Sequence, residues 1–122
     1  MACRHNEDLP VDRELSTVRG DTFVRTLVVK MGGEPLMLGD DGECRLYVFA
    51  RDEIIIRKVY TADNQDEHGV ITLTIYPEDT QELEAGTYRY EIEIKIGSAV
   101  VTPLAGTFII VEDMITPEVR TE

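Results

Sequence analysis

EDTQELEAGTYRYEIEIKIG, residues 78–97, is the stretch on which the fold turns. A cluster of acids runs into Gly86, and the chain then alternates without a break. Tyr88, Tyr90, Ile92, Ile94 and Ile96 fall on one face of a strand, with Thr87, Arg89, Glu91, Glu93 and Lys95 on the other. Upstream, Pro77 ends the preceding strand, and Asp79 is placed to cap a short helical turn with Glu82 three residues on. Leu83 points inward and Gly86 supplies a left-handed exit. The acids therefore read first as caps.

Working outward, Gly97-Ser98 turns the chain into a closing strand, VVTPLAGTFIIVE, and VITLTIY (70–76) alternates as a half-buried strand before Pro77. The polar loop ADNQDEHG (62–69) precedes it. Before that loop, a run from Cys44 to Arg51, a tight Asp52-Glu53 turn and a run from Ile54 to Thr61 read as a hairpin. A short strand starts near Leu15, breaks at Gly20-Asp21 and resumes from Thr22 to Lys30. In that second run Phe23, Leu27 and Val29 share a parity with Arg25, a conflict that a β-bulge would reconcile.

About seven short strands with regular turn signals and no helix longer than a turn predict an all-β fold, an antiparallel immunoglobulin-like β-sandwich. The Leu-x-x-Gly-x-Tyr spacing of Leu83, Gly86 and Tyr88 matches a tyrosine corner, in which the phenol hydrogen-bonds to backbone upstream. Residues 1–13 read as a flexible N-terminal arm, 14–113 as the sandwich and 114–122 as a C-terminal tail.

A chain of 122 residues supports one domain, burying about 65% of its unfolded surface. With 12 basic residues against 24 acidic ones its formal net charge is −12, which argues against nucleic acid as a partner. No stretch approaches the ~18–20 apolar residues of a membrane span, and MACRHNEDLPV carries no apolar core of a secretory signal. The expectation is synthesis in a cytoplasm, without export or membrane insertion. Cys3 and Cys44 read as free thiols.

Four segments in order, RGDTFVRTLVVK, GEP with a following Leu, HGVITLTIYPEDTQELEAGTYRYEIEI and TPLAGTFIIVED, resemble the immunoglobulin-like N-terminal domain of phage baseplate upper proteins. The similarity runs from about Thr17 to Asp113, and its most specific part is the segment from Gly69 to Thr80 followed by Gly-x-Tyr. The resemblance implies a structural module of a tail tip, which attaches receptor-binding parts, works among other tail and baseplate proteins and resides in the virion after synthesis in the host cytoplasm.

The residues offer little chemistry. Cys3 and His5 form a Cys-x-His pair with no second ligand pair at finger spacing, so no metal is expected. His68 beside Asp66 and Glu67 has no nucleophile in a catalytic signature, and it reads as a loop histidine. The carboxylates of DNQDE (63–67) and GDDGE (39–43) lack the spacing of an EF-hand and read as solvated turns. Arg19-Gly20-Asp21 simply breaks the chain between strands. No catalytic set and no cofactor site are expected, and the chain reads as a non-enzyme.

The hairpin is different. With Cys44, Leu46, Val48 and Ala50 facing the core, Tyr47 and Phe49 face outward, where polar residues are usual, and Ile54, Ile56 and Tyr60 are expected to join them across the turn. Monomers seldom leave such a patch wet. The five residues are thus the candidate interface, and homo-oligomerisation or binding to a tail component is the expected use. The alternative is a glycan-binding or adhesive surface module, against which stands the absence of Trp, the side chain best suited to stacking on sugars.

Overall fold

Alternation over 86–96 and the β-rich run 99–111 give the two longest strands, and the short Gly97-Ser98 turn brings them together as an antiparallel pair. The computed structural model describes residues 11–113, the side chain of Val11 excepted. Its strands are β1 (Val11–Asp12), β2 (Leu15–Val18), β3 (Phe23–Leu27), β4 (Lys30–Met31), β5 (Glu34–Pro35), β6 (Glu43–Ala50), β7 (Glu53–Tyr60), β8 (Ile71–Ile75), β9 (Gly86–Ile96) and β10 (Ala99–Val111). The main sheet has the order β1-β10-β9-β6-β7, with β2 also on the β10 edge. β3 and β8 form a second sheet, and β4 and β5 a small hairpin. β1 and β2 run parallel to β10, and the other pairings are antiparallel. The fold is the expected all-β sandwich, with seven strands of four residues or more.

The core lies between the sheets. Cys44, Leu46 and Val48 of β6, Tyr90, Ile92 and Ile94 of β9, and Phe108 and Ile110 of β10 are buried against Phe23, Ile71, Leu73 and Ile75 of the second sheet. Each such side chain contributes roughly 1.5–3 kcal/mol through removal from water. Phe23 and Phe108 meet edge to face across the sandwich, with centroids 5.5 Å apart and planes at 75°.

Four local details depart from the sequence reading. Val11–Asp12 pairs with Leu104–Ala105, so a two-residue strand lies inside the stretch read as an arm. The β3–β8 register is regular, and Arg25 is accommodated without a bulge: it stays exposed, with its guanidinium 4.8 Å from the Phe23 ring centroid. The hairpin turns at Arg51–Asp52, one residue early, with Ala50 opposite Glu53 and Arg51 in a left-handed conformation (φ 59°). Asp79 sits inside the helical turn Pro77–Thr80 rather than ahead of it. From there its carboxylate accepts from the Tyr76 amide at 2.8 Å and pairs with Lys58 Nζ at 2.8 Å.

The Arg19-Gly20-Asp21 turn is structural. The Asp21 amide bonds to the Val18 carbonyl at 3.0 Å, Gly20 takes φ 85°, and its amide donates to the buried Thr80 hydroxyl at 2.9 Å.

Candidate functional site

In an antiparallel ladder, residues directly opposite share a face, so strand pairing sorts the five candidate interface residues. β6 is central, flanked by β9 and β7. Phe49 lies opposite Arg89 on one side and Ile54 on the other, and Tyr47 opposite Glu91 and Arg57. Arg45 lies opposite Glu93 and Val59. Tyr47, Phe49 and Ile54 therefore occupy the outer face of the main sheet. The two aromatic rings are 6.3 Å apart at 34°, and Ile54 is 47% exposed.

Ile56 and Tyr60 do not join them. Val48 pairs with Ile56 and Phe49 with Ile54, so Ile55 is an extra residue between them, a β-bulge that reverses the facing of everything after it on β7. Ile56 is 5% and Tyr60 6% exposed, and both belong to the core. The run Ile54-Ile55-Ile56 carries no alternation, so its sequence holds no mark of the bulge. Beyond it Arg57 and Val59 take the outward places, and Val59 is 39% exposed.

The apolar cluster sits among paired charges. Arg45 Nε meets Glu43 at 2.9 Å and Nη1 meets Glu93 at 3.4 Å, while Arg89 Nη2 meets Glu91 at 3.7 Å. The Glu43 carboxylate holds the Arg45 guanidinium above its ordinary pKa. Around the aromatic pair, Arg45, Arg57, Arg89 and Lys95 face Glu43, Glu91 and Glu93, four bases against three acids on a chain of net charge −12. This face does not repel a second acidic chain as the rest of the molecule does.

At the corner, the Tyr88 hydroxyl donates to the Glu84 carbonyl at 2.6 Å. Leu83 is half-buried against the core, its amide bonds to Thr80 O at 2.9 Å, and its carbonyl accepts from Arg19 Nη1 at 3.3 Å. Gly86 opens β9 with φ 154°, a region L side chains rarely adopt.

Two tyrosine contacts escaped the sequence reading. Tyr60 bonds to the Thr74 backbone in the opposite sheet. Tyr90 lies opposite Gly106, passes over it and donates to the Arg13 carbonyl. A Cβ on Gly106 would come within 2.5 Å of that same carbonyl, so close approach explains the glycine. The only sequence signal was Gly106 inside an otherwise β-forming run.

The remaining candidates are turn chemistry. Asp66 accepts from the His68 and Val70 amides at 2.8 and 2.9 Å, which lowers its pKa, and His68 is exposed beside Glu67. Among the described residues no group of three His, Cys, Asp or Glu side chains could hold a metal ion, and no helix is long and apolar enough to cross a membrane. Cys3 and His5 lie outside the described residues. No protein-family model matches the chain, and no curated protein shows significant similarity to it.

Proposed function

We propose that the protein is a non-enzymatic structural module of a phage or prophage tail baseplate, acting through protein–protein contacts on the outer face of its main sheet. The observation that carries this reading is the Tyr47–Phe49–Ile54 cluster on the outer face of the main sheet, with the two aromatics half-buried and Ile54 exposed. The ordered resemblance from Thr17 to Asp113 to the baseplate domain supplies the setting. Burial of the three side chains would contribute roughly 1.5–3 kcal/mol each before the costs of association. The near-balance of charge around them leaves the longer-range repulsion between chains of charge −12 as the electrostatic obstacle to approach. The partner is a second copy of the chain or another tail protein, and the location is the virion.

Purified phage particles from the source cell test the setting. An antibody against this chain should decorate the tail tip in electron micrographs. Particles that lack the chain by mass spectrometry, or decoration of the cell surface instead, would reject the baseplate reading in favour of the adhesive one.

A further inference from the structure

A groove of about 1060 Å³ opens between β3 and the β10 edge of the main sheet, on the inner side and independent of the Tyr47–Phe49–Ile54 face. Leu15, Leu27, Leu73, Ile92 and Leu104 line its apolar part. Arg13, Arg25 and Lys30 also line it against Glu14, three bases and one acid in a chain of net charge −12. Among the described residues none of these three cations is in an ion pair.

The groove borders a strand edge. Among the described residues β3 pairs only with β8. The Thr74 amide and carbonyl both bond to Tyr60, on the side away from β3. Its ladder partner Val24 therefore turns its own N–H and C=O to the edge away from β8, where the C=O accepts from Arg25 Nη1 at 3.1 Å, and by alternation Thr26 turns its N–H and C=O to the same edge. An apolar groove beside an open edge suits an added strand, whose backbone satisfies the edge while alternate side chains fill the groove.

The chain itself leads there. Val11 pairs in parallel with Leu104, and Pro103, next along β10, has no N–H with which to continue that ladder toward residue 10. Pro103 and Leu104 both line the groove. Ten extended residues reach about 33 Å, ample for the seven positions from Arg25 to Met31. The sequence before Val11 offers Leu9 for the apolar lining and Glu7 and Asp8 for the cations.

We propose that residues 1–10 bind in this groove as a strand added along the edge of β3.

Cys3 allows a direct test in the full chain. Cys44 is buried, so a nitroxide reagent labels Cys3 alone. Selective loss of NMR signal intensity is expected at Leu27, Val29, Lys30 and Leu73 relative to Ile54 and Val59 on the outer face, unchanged when labelled protein is diluted into unlabelled. Arg25→Glu combined with Lys30→Glu, both at exposed positions, should abolish that selectivity while leaving the core signals in place. Absence of selective loss would overturn the proposal. Loss that vanishes on dilution would overturn it in favour of a second copy's segment. Loss seen only from a label at Thr121→Cys in a Cys3→Ser background would assign the groove to the C-terminal segment instead.

Discussion

Tyr60 and Thr74 join the two sheets by a pair of hydrogen bonds: the phenol donates to the Thr74 carbonyl at 2.7 Å and accepts from its amide at 3.1 Å. Tyr60 closes β7 in the main sheet, and Thr74 lies in β8 of the second. Tyr60→Phe removes both partners at once and keeps the ring. With part-buried groups left unpaired, it should cost about 1–3 kcal/mol, read from denaturant unfolding. A variant as stable as the parent would show that water replaces the hydroxyl.

Tyr88 makes a superficially similar bond, but its acceptor is the carbonyl of exposed Glu84. Water can replace that donor. Tyr88→Phe should therefore cost less than Tyr60→Phe, at or below about 1 kcal/mol. The reverse order would mean that the corner, not the inter-sheet clamp, holds the sandwich.

The bulge at Ile55 makes a sharp contrast between neighbours. Ile56→Glu buries a carboxylate opposite Val48 and should unfold the protein, whereas Ile54→Glu changes a 47% exposed position and should leave the melting temperature within a few degrees. Circular dichroism melts of both variants check this. Equal damage from both would place Ile54 in the core and remove the bulge.

Alkaline pH should weaken the fold. Burial pushes the Cys44 thiol and the Tyr60 and Tyr90 phenols up to about 12. All three stay neutral in the folded protein, while in the unfolded chain the thiol ionises from its ordinary value of 9.0 and the phenols from 10.0. Their contribution is complete below about pH 9 and is lost as pH rises toward 12, by at most about 1.4 kcal/mol per pH unit for each group. Urea midpoints between pH 8 and 11 should fall, and Cys44→Ala should move the onset of that fall upward. A flat profile would contradict the burial of these groups.

The alternation at 88–96 made β9 and the sandwich legible, because one buried face and one wet face leave a period of two in the sequence. Tyr47 and Phe49 were legible for the same reason, since β6 is regular throughout. Ile56 and Tyr60 were not. Three consecutive isoleucines fit either face, and only the pairing with Val48 and Phe49 reveals where the parity turns. Asp79 was recognisable as a capping residue, but its place inside the helical turn depends on Pro77 occupying the first helical position. The bonds of Tyr60 to Thr74 and of Tyr90 to Arg13 join residues 14 and 77 apart along the chain, beyond any local pattern.

The central claim is that the outer face of the main sheet is a protein-binding surface, and light scattering of the wild-type chain beside Phe49→Glu tests it most directly. The wild type should show a mass that rises with concentration, more steeply in salt, because screening shortens the repulsion between chains of charge −12 to about 8 Å at physiological ionic strength. Phe49→Glu should remain monomeric and melt with the parent. A wild-type protein that stays monomeric at high concentration, together with a Phe49→Glu variant that unfolds, would put Phe49 in the core and contradict the account.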